Sequence, residues 1–96
     1  MFEEIKRPSL VVDTEKVRRN AIRMKEKADR NGASFRPHLK THQSRVVGRL
    51  FRDLGIRAGT VSSVEMARLF AEDGWDDLTI AFPANLREIG DMDELA

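Results

Sequence analysis

Four short runs of apolar, often β-branched residues recur along this chain, and each is followed by a stretch with apolar residues at helical spacing. That alternation constrains the fold more than any other property of the sequence. The first run, Ser9-Leu10-Val11-Val12-Asp13, is bounded by Pro8 and by an acidic cap, and it reads as a buried strand. Asp13 or Thr14 then opens a helix whose Val17, Ala21, Met24 and Ala28 fall on one stripe, stopped near Gly32. The second run begins at Ser34-Phe35 and continues to Lys40, with Pro37 costing it one ladder hydrogen bond. Its helix takes Ser44 as N-cap and carries Val47, Leu50, Phe51 and Leu54 before Gly55. Gly59-Thr60-Val61-Ser62 is the third strand. Ser62 and Glu65 match a capping box, and Val64, Ala67, Phe70 and Ala71 form the next stripe, closed by Gly74. The fourth strand, Leu78-Thr79-Ile80-Ala81-Phe82, ends at Pro83, and Asn85 with Glu88 starts a last helix through Leu86, Ile89 and Met92.

Strand and helix alternating over short connections predict an α/β fold with a parallel sheet and right-handed crossovers. A doubly wound open sheet and part of a (β/α)8 barrel both satisfy that pattern. A complete barrel takes roughly 250 residues, so four βα units in 96 residues amount to the first half of one. In either architecture chemistry gathers at the carboxyl ends of the strands. Asp13, Lys40, Ser62 and Pro83 mark those ends here.

The second strand end is the unusual one. Arg36-Pro37-His38-Leu39-Lys40-Thr41-His42 concentrates an arginine, two histidines and a lysine in seven residues. Alternation along a strand points Arg36, His38 and Lys40 to one face. Three nitrogen-rich side chains make a poor apolar core, since an unpaired buried charge costs several kcal/mol or forces a pKa shift. Such a cluster is tolerated where something binds it.

Composition narrows what that something is. The chain is 41% hydrophobic and 34% charged, as expected of a soluble globular domain. No apolar run approaches the roughly 20 residues that span a bilayer, and the amino terminus lacks the basic start and apolar stretch of a signal peptide. The absence of cysteine rules out disulfides and thiolate chemistry and fits a cytoplasmic setting. The net charge of +1 conceals a balance of +8 over residues 1–57 and −7 over residues 58–96. The basic residues between Arg18 and Arg30 are mixed with acids along a helix and have no interleaved aromatics to stack bases, so a solvated helix face is expected rather than a nucleic-acid surface. The two oppositely charged halves suit attraction within the chain or between copies.

Three chemistries remain for the cluster. His38 and His42 have the H-x3-H spacing of a metal pair, but they are the only histidines, and no cysteine completes the three or four ligands that zinc prefers. No metal site is expected in this chain. The six glycines form neither a G-x-G-x-x-G nor a Walker sequence, and they serve as helix stops and turns. A lysine nucleophile is left: an ammonium that is desolvated or close to other cations loses its proton more readily and attacks carbonyl carbon. The residues alone leave Lys40 between that role and an ordinary solvated lysine at the start of a loop.

Arg36 through His42 resembles the R-P-H-x-K-T-H signature of the D-threonine aldolase and D-serine dehydratase group. The likeness extends along the chain. Leu10-Val11-Val12-Asp13 followed by Asn20 is similar to that group's first strand and helix, and Thr60-Val61-Ser62-Ser63-Val64 to its third strand end. Gly74-Trp75-Asp76-Asp77-Leu78 through Ala81-Phe82-Pro83 is similar to its G-x-D-D-I-L-x-A-Y-P run. Gln43, Met66, Arg68 and Phe82 depart from the usual residues of the group.

The resemblance implies residues 1–96 of an alanine-racemase-like N-terminal barrel domain, broken off after about the fourth βα unit. It implies pyridoxal 5'-phosphate as cofactor, held by Lys40 through a Schiff base, with His38 and Arg36 beside it and Thr41 and His42 shaping the floor of the pocket. It implies a D-amino acid or 3-hydroxy-amino acid as substrate and aldol cleavage or dehydration as reaction. Racemisation, a module that binds cofactor without turnover, and an inactive interaction fragment whose charged halves serve assembly are the alternatives. Any divalent metal would lie in a carboxyl-terminal domain outside these residues. A phosphate site built after strands 7 and 8 of a barrel is likewise outside them. An isolated half barrel leaves sheet edges open, so pairing with a second copy or with a missing half is expected.

Overall fold

The computed structural model describes all 96 residues. Four α-helices and two strands appear in the order α1 (Thr14–Arg30), α2 (Arg45–Asp53), β1 (Ala58–Val61), α3 (Val64–Glu72), β2 (Asp77–Ile80) and α4 (Ile89–Leu95). Short 3-10 turns at Leu39–Thr41 and Leu86–Glu88 precede α2 and α4. The strands pair in parallel, with Ala58 opposite Asp77 and Val61 opposite Ile80.

The helices begin where polar caps demand. Asp13 accepts from the backbone N–H groups of Glu15 and Lys16, Ser44 from Val47, and Ser63 from Met66. The third helix is therefore capped by Ser63 rather than by the Ser62 of the expected capping box. Gly32, Gly55 and Gly74 follow α1, α2 and α3 with φ of 65°, 83° and 97°, the left-handed conformation that ends helices and that glycine adopts without a Cβ penalty.

Two of the four expected strands do not form. Residues 9–13 carry no strand, and Leu10 is 88% exposed. A β-branched run becomes a strand only when a neighbour completes its ladder, and no element of the chain pairs with this one. The second strand shrinks to a single parallel bridge, His38 to Thr60, with the Thr60 N–H donating to the Pro37 carbonyl at 2.8 Å. Pro37 has no N–H to return toward β1, so the ladder stops there. The chain then tightens into the 3-10 turn that carries Lys40.

The sheet has one covered face. Leu39, Ile56, Val61, Ala67, Phe70 and Trp75 form its core with Ala21 of α1. Close approach is built in at two glycines. A Cβ on Gly59 would meet Leu39 at 3.0 Å and the Trp75 ring at 3.2 Å, and one on Gly48 would meet Phe70 at 3.2 Å. The indole thus seats where two backbones leave room for it. The α2–α3 contact is tied at its rim by Asp73, which takes two hydrogen bonds from Arg49 and lies 3.7 Å from Arg52.

The opposite face of the sheet has no layer against it. Thr60 and Thr79, which pair across the strands, are half-buried and exposed respectively. The molecule is accordingly a slab, 47 × 41 × 21 Å. It exposes 7269 Å², whereas a compact monomer of this mass exposes about 5,600 Å².

Candidate functional site

Lys40 lies just beyond the carboxyl end of β1, because the His38–Thr60 bridge brings its turn level with Ser62. The side chain of Leu39, fully buried, plugs the segment into the core. Burial of that side chain contributes about 1.5–3 kcal/mol, and it orients the next residue outward. Lys40 is exposed, and only its backbone is engaged. Its N–H donates to His38 Nδ1 at 3.3 Å, and its carbonyl accepts from Gln43 Nε2 at 3.3 Å. The ammonium has neither an ion pair nor a hydrogen bond to the protein. Gln43, at φ 49°, is the one non-glycine residue in the left-handed region, and it turns the chain from Lys40 into α2.

His38 caps this turn. With its Nδ1 accepting from the Lys40 N–H, a neutral ring carries its proton on Nε2. The hydroxyl of Thr41 donates to the His38 carbonyl at a long 3.5 Å.

Arg36 and His42 take other partners than the expected pocket. One guanidinium nitrogen of Arg36 donates to the carbonyls of Gly59 at 3.2 Å and Asp77 at 3.3 Å, and another pairs with the Asp77 carboxylate at 2.8 Å. Asp77 opens β2, so Arg36 is bound at the amino end of the sheet, the end away from Lys40. His42 turns into the helix layer. Its Nδ1 accepts from the Ser44 N–H at 3.0 Å, and its ring sits edge-on to Phe51 and Phe70 at centroid distances of 5.7 and 6.2 Å. Its Nε2 is buried without a conventional partner, and the flanking aromatic faces offer only the weak N–H···π kind. Burial pushes the His42 pKa below the ordinary histidine value and keeps the ring neutral.

The two histidines therefore share no helical face. No group of three or more His, Asp or Glu side chains is placed to hold a metal ion. No helix is long and apolar enough to cross a membrane. The largest cavity, about 510 Å³ between Trp75, Leu78, Ile80, Met92 and Leu95, lies on the helix side of β2 and does not include Lys40.

Sequence reasoning missed Asp77 as the partner of Arg36. The signal was available: the acidic pair Asp76-Asp77 stands directly before an apolar strand, where an unpaired carboxylate needs a cation. What the sequence lacked was register, which sets Asp77 rather than Asp76 within reach.

Among known proteins, the segment is similar in sequence and fold to a dehydratase of a D-configured hydroxy amino acid. D-threo-3-hydroxyaspartate dehydratase of Delftia sp. (strain HT23) is 35% identical over 74 residues, which make up 77% of this chain and 20% of that enzyme. The solved structure of the enzyme from Delftia sp. HT23 matches with a TM-score of 0.89 at 29% identity, over 96% of this chain and 24% of that one. A histidine-to-alanine variant of the same dehydratase gives 0.90, and a cysteine-to-alanine variant in the metal-free form 0.89. No family model matches. The chain is thus similar to one segment of this dehydratase, spanning a fifth to a quarter of its length.

Proposed function

We propose that residues 1–96 are the lysine-bearing, amino-terminal part of a pyridoxal-phosphate-dependent lyase acting on a D-amino acid with a 3-hydroxyl group. The observation that carries this reading is the unpaired ammonium of Lys40 on a segment whose backbone is anchored on both sides. The Lys40 ammonium is free of competing ion pairs on a turn held by His38 and Gln43, and the Arg36–His42 motif singles it out from the other unpaired lysines, Lys6 and Lys27. When bound, pyridoxal phosphate supplies an electron sink for bond breaking at the substrate's α-carbon.

The chain's own residues do the rest. Lys40 Nζ would hold the cofactor. His38 fixes the turn through its Nδ1, which accepts from the Lys40 N–H. Thr41 braces the same turn, while Arg36 and His42 support it from the sheet and the helix layer. Dehydration is preferred to aldol cleavage or racemisation because the relative is a dehydratase.

The same reading makes the chain a single partial domain, the first half of a (β/α)8 barrel. The open sheet face and the excess exposed area support it, since a barrel buries that face against further strands. A second copy or the remaining half of the barrel covers it. A cytoplasmic setting belongs to this proposal.

Adding pyridoxal phosphate tests the reading. A band near about 420 nm, the region where a lysine-bound cofactor absorbs, is expected with the wild-type chain and not with Lys40→Ala. Loss of the α-proton from a D-3-hydroxy amino acid, followed in deuterated water, separates a catalytic segment from a module that only binds. Equal bands in both proteins overturn the assignment of Lys40.

A further inference from the structure

The guanidinium of Arg36 makes three interactions within the chain, and they span both strands of the sheet. It holds the Gly59 carbonyl of β1, the Asp77 carbonyl of β2 and the Asp77 carboxylate, at 3.2, 3.3 and 2.8 Å. We infer that Arg36 and Asp77 are positioning residues, a clamp that sets the register of the Lys40 segment on the sheet.

The need for a clamp follows from Pro37. A strand in a parallel sheet is located by its ladder, and this one keeps a single geometrically good bond, from the Thr60 N–H to the Pro37 carbonyl. Leu39 holds the segment against Gly59 by packing, but packing of one aliphatic side chain does not fix position along the strand. A shift along the strand would carry Lys40 from its place level with Ser62. Arg36 removes that freedom, because its planar fork is satisfied only when it lies level with both Gly59 and Asp77. The side chains of Arg36 and Asp77 are 33% and 55% exposed, so the ion pair by itself stabilises little. Its worth lies in geometry, and a misplacement of about 1 Å costs on the order of a hundredfold where a reacting group must be aligned.

This inference rests on Lys40 being the cofactor-bearing residue, and the test separates the two. Pyridoxal phosphate is added to the folded 96-residue chain, borohydride reduction fixes the cofactor to amines, and peptide mapping apportions it among Lys6, Lys16, Lys25, Lys27 and Lys40. Wild type is expected to be modified chiefly at Lys40. Arg36→Ala and Asp77→Asn are each expected to slow modification at Lys40 about tenfold or more, with the other four lysines unchanged. The double variant is expected to be no slower than either single one, and Arg36→Lys, which keeps the charge but not the fork, to fall between. Exchange of the Thr60 amide with deuterium is expected to quicken in the same variants, and this readout needs no cofactor. Wild type unmodified at Lys40 overturns the proposed function and with it the reaction the clamp serves. Wild type modified at Lys40, with Arg36→Ala or Asp77→Asn equally fast and Thr60 exchange unchanged, overturns the clamp alone.

Discussion

Residues 56–80 and residues 1–13 contain the same kind of sequence and have opposite fates. Both hold an apolar, β-branched run next to a well-capped helix. In the later region Val61 is fully buried and paired with Ile80, and Phe70 and Trp75 close over it. In the earlier one Leu10, Val11 and Val12 are 88, 56 and 43% exposed. The difference is the neighbour. β1 has β2 on one side and the Pro37 segment on the other, whereas the first run has no partner for its backbone. Strand character in a sequence is thus a statement about what the segment does when paired, and pairing is a property of the whole sheet.

The largest test of that contrast is Phe70→Ala. It empties the centre of the core and is expected to destabilise by about 3–5 kcal/mol, measured by urea unfolding. The same measurement on Leu10→Ala is expected to show a change within about 0.5 kcal/mol. A large effect at Leu10 would mean that the first run is paired in solution.

Gly74→Ala sharpens the comparison at a turn. A Cβ there would run into an Arg52 guanidinium nitrogen, at a φ of 97°. The arginine head can move, so the backbone strain remains, on the order of 1–2 kcal/mol. Gln43→Gly works in the other direction. It relieves a left-handed glutamine and is expected to raise stability by up to about 1 kcal/mol.

Acid titration divides the packed region into two contributions. His42 is held below its ordinary pKa by burial. Below about pH 6.5 the unfolded chain takes up a proton that folded His42 resists, so stability falls as the pH drops toward the folded value. Hydrogen bonds from Arg49 hold the Asp73 carboxyl below its usual value, with further help from the charges of Arg49, Arg52 and Arg45. Its contribution is complete above about pH 4 and is lost as the pH falls through the folded value. Thermal melts across this range should lose the upper limb in His42→Leu and the lower one in Asp73→Asn.

The fold was legible in the sequence wherever side chains decide locally. Asp13 and Ser44 cap the helices they were expected to cap, and the stripes of Val47, Ala67 and Phe70 are buried. It was not legible where partners decide. Leu10–Val12 read as a buried strand, and Pro37 read as a blemish rather than as the end of the second strand. The candidate site divides the same way. The motif draws attention to Lys40, which the structure leaves exposed and unpaired, but alternation on a strand gave Arg36 the wrong neighbour and could not turn His42 into the helix layer, because the segment leaves the strand at Leu39.

Lys40 is the one lysine of five to which the proposed function assigns a carbonyl cofactor. Borohydride reduction after pyridoxal phosphate is added, followed by peptide mapping of all five lysines, measures that directly. Cofactor fixed at Lys40 in clear excess over Lys6, Lys16, Lys25 and Lys27 is the expected result. Label spread evenly over the five in a folded sample would contradict it.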